Sequence, residues 1–433
     1  MIKEEKNQIN LKITKISGSD NIPELRFPEF VNEGEWEKKT IGEFAPLQRG
    51  FDLPVDNIIS GNYPVVFSNG ILKYHNDYKA KAPGVVTGRS GTIGKVTYVE
   101  YDFWPHNTSL WVTDFCGNHP LFVFYYFVYI GLEQFGTGSG VPTLNRNDVH
   151  RHNILVPNPP EQQKIASCLS SLDEVIAAHC QKLELLKDHK KGLMQNLFPH
   201  PSTSSGGGSV AEPVEAKVPK FRFKEFENDG EWVEKSIDTI KSIITDYVAN
   251  GSFQSLRENL KVVDSEDYAF YVRLTDLRAG LGHSNQKYVD KSTYNFLNKT
   301  SLFGGELLMA NIGANVGEVW QMPFINKPST LAPNMIMIKF KKDVDSGFVY
   351  QYLTSNTGIK SISSAISGSG HPKISKTDLR QVKVSLPPKI KEQQKIASCL
   401  SSLDALIAAQ AEKIEQLKLH KKGLMQGLFP KTV

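Results

Sequence analysis

Cysteine is scarce in this chain: Cys116, Cys168, Cys180 and Cys399 are the only four among 433 residues. No C-x-x-C pair occurs, so a disulfide scaffold is excluded and a Cys-rich zinc site is not expected. Long apolar runs are also missing. The longest, residues 121–132, is 12 residues and too short to span a bilayer. The opening MIKEEKNQINLK lacks an apolar segment of the secretory type, so a reduced, cytoplasmic protein with no membrane partner is expected. An excess of one charge is absent too: 50 basic and 46 acidic residues leave +4, which neither requires nor forbids a nucleic-acid partner. Hydrophobic residues at 40% and charged residues at 22% suit a globular chain of two or three domains.

What is present is repetition. EQQKIASCLSSLD at 161–173 returns letter for letter at 392–404, and HKKGLMQNLFP at 189–199 returns as HKKGLMQGLFP at 420–430. Upstream, PELRFPEFVNEGEW at 23–36 returns as PKFRFKEFENDGEW at 219–232. The bodies between these motifs are unlike, and the second is longer. Two weaker matches survive inside them. Gly91-Thr92-Ile93-Gly94-Lys95-Val96 parallels Ala314-Asn315-Val316-Gly317-Glu318-Val319, and GSGVPTLNRNDV at 138–149 parallels GSGHPKISKTDL at 368–379. The order predicts a tail at 1–20, a body at 21–160, a helix at 161–199, a linker at 200–218, a second body at 219–391 and a second helix at 392–430. A constant frame around unlike fillings implies one task done twice on two different targets.

Positions 165, 169, 172, 176, 179, 183, 186, 190, 193 and 197 read Ile, Leu, Leu, Ile, His, Leu, Leu, Lys, Leu, Leu, and the second copy repeats the pattern from Ile396 to Leu428. The alternating steps of four and three are a coiled-coil seam. Neither helix can bury its stripe alone. Connectivity predicts that the two pair antiparallel as a rod on the order of 55 Å, and the Ser/Gly/Pro-rich segment 199–218 reads as flexible. Two similar bodies related by an approximate dyad match a duplex with two half-sites. Unlike bodies imply unlike half-sites, so the target is expected to be bipartite and asymmetric.

With its duplicated EQQKIASCLSSLD…HKKGLMQ(N/G)LFP helices, duplicated RF-x-EF-x-x-x-GEW motif and paired glycine patterns, the chain resembles the specificity subunit of a type I restriction-modification system. The resemblance spans nearly all of the chain beyond residue 20. It implies an α+β fold with two target-recognition domains separated by a long antiparallel two-helix coiled coil, in a bacterial or archaeal cytoplasm. It also implies double-stranded DNA and two methyltransferase (modification) subunits as partners, along with restriction and translocation subunits. S-adenosylmethionine would belong to the methyltransferase, and ATP and Mg2+ to the restriction subunit. This chain would bind no cofactor and catalyse nothing. A flipped adenine would enter the partner's pocket. A related modification system without translocation is the alternative within the same class.

Three motifs invite an enzymatic reading. Gly88-Arg89-Ser90-Gly91-Thr92-Ile93-Gly94-Lys95 encloses five residues between Gly88 and Gly94, and Val96 follows the lysine, so it departs from a phosphate-binding loop. A turn whose small residues allow close approach to a surface such as DNA is the expectation. Asn158-Pro159-Pro160 resembles an amino-methyltransferase motif, but Glu161 stands where an aromatic is needed and the second copy reads Leu386-Pro387-Pro388. Prolines starting a helix explain both copies. His150-Arg151-His152 has no partner at metal-ligand spacing and is expected to face solvent.

Residues 21–160 carry 11 basic and 14 acidic side chains, so any DNA surface there must be local. Lys73, Lys79, Lys81, Arg89 and Lys95 lie in one stretch opposed only by Asp77. Base edges are read by Arg, Lys, Asn, Gln, Ser or Thr. The candidates in the first body are Arg49, Asn69, Arg89, Ser90, Thr92, Lys95 and Asn107, with Asn145 and Arg146 in the loop after Gly138. In the second body they are Arg273, Asp276, Asn311, Asn315 and Asn334, with His371 and Lys373 after Gly368. LFVFYYFVYIGL is expected to be a buried helix rather than a stacking platform.

Overall fold

The structure is a computed structural model that describes residues 13–15, 21–138, 142–199, 218–368 and 370–430. The expected tail 1–20, apart from 13–15, and the expected linker 200–218, apart from Val218, lie outside the described residues. The chain divides into two compact units, Met1–Gln181 with Ala411–Val433, and Lys182–Gln410.

Unit one runs through β1 (Glu37–Thr40), β2 (Leu47–Arg49), the hairpin β3 (Tyr63–Phe67) and β4 (Gly70–His75), then β5 (Gly84–Gly88), β6 (Val96–Val99), β7 (Trp104–Pro105) and β8 (Ser109–Val112). Helix α1 (Pro120–Ile130), α2 (Arg146–His150) and β9 (Asn153–Val156) follow, and α3 (Pro159–Leu197) leaves the body. An antiparallel sheet has the order β2-β8-β5-β6, and a smaller one has the order β4-β3-β7 with β3 parallel to β7. Strand β5 belongs to two cores. Its side chains alternate, so Val85 enters the main core and its neighbour Val86 a second one with Val66, Val99 and Phe103. The apolar run forms α1 as expected. It starts at a proline, ends at Gly131 with φ 69° and buries Phe122, Val123, Tyr125, Tyr126, Phe127 and Ile130.

Unit two runs through β10 (Val233–Ser236), β11 (Lys241–Asp246), β12 (Val262–Val263), β13 (Ala269–Val272), α4 (Leu274–Ala279), β14 (Lys287–Val289), β15 (Ser301–Leu302), β16 (Leu307–Ala310), β17 (Val319–Gln321), β18 (Ser329–Leu331) and β19 (Met335–Phe340). It closes with α5 (Ser346–Leu353), α6 (Lys376–Gln381), β20 (Lys383–Leu386) and α7 (Ile390–Leu428). Its antiparallel sheet, β11-β19-β16-β17, repeats the strand order of unit one. The second sheet differs: five strands in the order β12-β14-β13-β18-β15, with β13 parallel to β18. Most of the extra length of the second body is spent there, the rest in a helix at Asn356–Ala365.

The duplicated motifs grip each other. Buried Arg26 donates from Nε and Nη2 to the two carboxylate oxygens of Glu161 (2.8 and 2.7 Å) and from Nη1 to the Gly34 carbonyl. Arg222 does the same to Glu392 (2.8 and 2.7 Å) and Gly230. The next residue repeats too. Gln162 accepts from His119 N and donates to Pro157 O, and Gln393 accepts from Asp345 N and donates to Pro387 O. The arginine of each entry motif thus anchors the first turn of its helix.

The helices begin two residues earlier than the sequence suggests, at Pro159 and Ile390. Within unit one, the late part of α7 returns against the early part of α3. Lys421 reaches Asp173 at 2.5 Å, and Tyr125 donates to the same carboxylate at 2.7 Å. Within unit two the order is the same, with Lys190 on Asp404 at 2.6 Å and Gln351 as the second donor at 2.8 Å. Early residues meet late ones in both, as an antiparallel pair requires. The lysines that interrupt the seam are therefore partners of the aspartate in ASCLSSLD. Each LFP motif ends in an aromatic anchor: Phe429 packs on Phe122, Tyr126 and Tyr129, and Phe198 on Phe348 and Tyr352. The one substitution between the two copies of that motif has a cause. A Cβ at Gly427 would stand 2.4 Å from Leu25, whereas Asn196 folds its amide back onto Gly192 O.

Candidate nucleic-acid interface

In unit one, four loops meet at one end of the main sheet. Ser68 N donates to Thr108 Oγ1, Arg89 N and Ser90 N to Thr108 O, and Leu144 N to Arg89 O. Ser90 also bridges Thr143. The expected residues Asn69, Arg89, Ser90, Thr92, Lys95, Asn107, Asn145 and Arg146 belong to these loops or begin the helix after them. Lys95 donates to the Asn69 carbonyl at 2.5 Å. Arg49, at the end of β2, donates to Asp52 at 2.9 Å, and the Asn107 amide donates to the same carboxylate. Asp52, which the sequence did not single out, thus joins two of the expected residues. Asn145 caps α2, accepting from Asn147 N.

Two of the glycines here serve the protein's own packing, whereas Gly91 faces open space. A Cβ on Gly88 would lie 1.9 Å from Thr92 O and 2.5 Å from Ser68 O. At Gly94, φ +76°, a Cβ would lie 2.4 Å from Glu133 N. The stretch of lysines between 73 and 95 also divides. Lys79 and Lys81 are engaged at the other end of the β3–β4 hairpin, with Asp77 and Asp102 and over the rings of Trp104 and Tyr78. Lys95 stands at the hairpin tip.

Unit two builds the same end. Asn311 N donates to Asn334 O, Ile374 N donates to Asn311 O, and Ile312 bridges Lys373. Backbone partners therefore place Arg89 with Asn311, Ser90 with Ile312, Thr108 with Asn334, Thr143 with Lys373 and Arg146 with Lys376. Strand register places Arg49 with Asp246, since Leu110 faces Arg49 where Ile336 faces Asp246. The loop is one residue longer in unit two. Its turns fall at Gly313 and Gly317 (φ +86° each), as those of unit one fall at Gly91 and Gly94. Asn315 and His371 are exposed beside it.

Charge is handled differently at this end of unit two. Glu318, in the place of Lys95, accepts from Arg278 and from Trp320 Nε1. The Arg278 hydrogen bond leads in holding that carboxyl below its ordinary value. Lys376, which the sequence reading passed over, pairs with Asp246 at 2.9 Å. Asp276 is wholly buried. It accepts from Arg273 N, Nε and Nη2 and from His283 Nε2. Burial alone would raise its pKa, but the hydrogen bonds from Arg273 and His283 outweigh that and lower it. The structure gives Asp276 the task of fixing Arg273, not of meeting a ligand.

The enzymatic motifs find structural roles. Asn158 Oδ1 accepts from Glu161 N in the first turn of α3, so Asn-Pro-Pro is a helix start. His150 and His152 are half-buried rather than solvent-facing. His150 Nε2 accepts from Leu47 N, and burial leads in holding its pKa low, so the ring serves as a neutral acceptor. Among the described residues no group of three or more His, Cys, Asp or Glu could hold a metal, and no helix is long and apolar enough to cross a membrane.

Comparison with known proteins bears on this arrangement. The type I restriction modification DNA specificity domain matches residues 33–188 and again 225–419. The type I restriction enzyme MjaVIII specificity subunit of Methanocaldococcus jannaschii is 26% identical over 302 residues, 67% of this chain and 64% of that one. The type I restriction enzyme EcoprrI specificity subunit of Escherichia coli is 26% identical over 155 residues, 34% of this chain and 38% of that one. The chain thus spans less than two thirds of the length of these relatives. Among solved structures, the S subunit of a type I restriction-modification system from M. genitalium shares the fold, with a TM-score of 0.61 at 15% identity over 95% of this chain and 100% of that one. Matched twice, over both units and the helices that leave them, the chain belongs to the type I restriction modification DNA specificity domain family.

Proposed function

We propose that this chain chooses the DNA sequence for a type I restriction-modification complex and performs no chemistry itself. Each unit reads one half of a bipartite, asymmetric duplex target through the loop end of its main sheet. Helices α3 and α7 set the unread spacer and dock two methyltransferase subunits, which use S-adenosylmethionine. Restriction subunits using ATP and Mg2+ complete the assembly.

The observation that carries this reading is the pairing of positions between the units. The backbone around Arg89 and around Asn311 is held by the same hydrogen bonds, yet Arg49, Arg89, Ser90 and Lys95 in one unit are answered by Asp246, Asn311, Ile312 and Glu318 in the other. One frame carrying two sets of polar side chains suits two different half-sites, since base edges are told apart by their donors and acceptors. The test is to express the chain with a methyltransferase subunit and sequence the methylome. A split motif is expected. Replacing residues 37–160 with another such body should change one half of it and leave the other intact. Methylation by the chain alone, or a change in both halves, would overturn the reading.

A further inference from the structure

We infer that Arg89 and Asn311 are the matched base-reading residues of the two units, with Arg89 taking guanine and Asn311 adenine. This rests on the proposed DNA reading and assigns it to two side chains. The two positions are equivalent by backbone alone: each N–H donates to the carbonyl of residue 108 or 334, and each carbonyl accepts from residue 144 or 374. Neither side chain is fully committed within the protein. The half-buried Arg89 guanidinium makes no hydrogen bond, ion pair or ring contact among the described residues, although its neighbours Arg49 and Lys95 both find acceptors. The Asn311 Oδ1 is buried without a donor. Buried polar groups in folded proteins are satisfied almost without exception, so the orphaned Asn311 acceptor calls for a ligand to complete it, and Arg89 offers a free guanidinium at the matching place.

The chemistry of the two side chains names the ligands. A guanidinium offers parallel N–H donors to O6 and N7 of guanine. A carboxamide offers one donor to N7 and one acceptor to the N6 amino group of adenine. Several other polar residues of unit two are already committed. Asp276 is saturated, Arg273 is bound to it through Nε and Nη2, and Glu318 holds Arg278. Gly313 and Gly317, each at φ +86°, form the turns of the loop that follows Asn311.

The test uses the full chain and a pool of randomised duplexes, comparing wild type with Arg89→Ala, Arg89→Lys and Asn311→Ala, each checked by thermal melting. The arginine variants should lose preference at one guanine of one half-site, and Asn311→Ala at one adenine of the other. Discrimination should fall by roughly five- to 150-fold at that position only. Arg89→Lys keeps the charge but loses the fork, so it should retain affinity better than specificity. Duplexes with 7-deazaguanine or 7-deazaadenine at those positions should weaken wild type and leave the corresponding alanine variant unmoved. If wild type selects a sequence and the variants select the same one, the assignment is wrong and the DNA reading stands. If wild type shows no sequence preference, both fall.

Discussion

Units one and two share a sheet order, a clamp and a helix anchor, and they diverge at the loop end and in the second sheet. The shared parts are those in which one motif touches another: Arg26 with Glu161, Arg222 with Glu392, Asp173 with Lys421, Asp404 with Lys190. A change on one side of such a pair leaves a buried or half-buried charge without its partner, so both copies stay alike. The diverging side chains point at nothing in the protein or at local partners, and can change one at a time. The difference teaches where this architecture is rigid and where it is free to vary.

The largest expected effect tests the rigid part. Glu161→Gln and Glu392→Gln should each cost about 3–5 kcal/mol of unfolding free energy, because each strands an arginine whose side chain is almost entirely covered. Urea titration of the two variants should give similar losses, the second slightly greater because Trp232 Nε1 also donates to Glu392 at 3.3 Å. A large loss in only one unit would break the equivalence. Next come the aromatic anchors. Phe429→Ala and Phe198→Ala should cost about 3–5 kcal/mol, with Phe429 at the upper end because it meets three rings and Phe198 two. Equal losses would mean that ring contacts add nothing beyond burial.

Smaller effects sharpen the contrast at the loop end. Glu318→Gln should release Arg278 and steepen the salt dependence of DNA binding by about one phosphate contact. Lys95→Glu should make it shallower by a similar amount. Binding measured across a salt series checks both, and unchanged slopes would place these residues away from the duplex. The smallest effect is on acid stability. Asp276 has a lowered pKa in the folded chain, so its contribution is present above the ordinary aspartate value of about 4 and is lost as pH falls through the lowered one. Denaturant titrations below pH ~4 should show this acid loss in wild type and not in Asp276→Asn. An identical acid limb in both would remove the carboxylate from the account.

Much of the frame was legible because it is written twice. Recurrence at fixed offsets marked the motifs, and a 3.5-residue seam marked the helices. That the two motifs bind each other was not legible, since recurrence says that segments belong together and not which atoms meet. The loop end was partly legible. Arg89, Ser90, Lys95 and Asn311 stood out as polar residues beside glycines, and the structure places the first three at the loop end of unit one and Asn311 at the equivalent end of unit two. Asp276 misled because a polar residue after a strand looks exposed until its partners are seen. The lysines between 73 and 95 misled because a hairpin sends its two ends apart, and because Asp102, which holds Lys81, lies outside that stretch. Asp52 and Lys376 carried no signal beyond a charge near a candidate, and pairing across the fold alone reveals them.

Phe429 gives the first unit a peculiar timetable. Its ring closes a core whose other members, Phe122, Tyr126 and Tyr129, leave the ribosome some three hundred residues earlier. The first body to be synthesised is therefore among the last to be finished, and it waits with an aromatic socket open while the whole second body is made. A nascent chain halted before that residue leaves the socket bare, a sticky intermediate of the sort that chaperones collect.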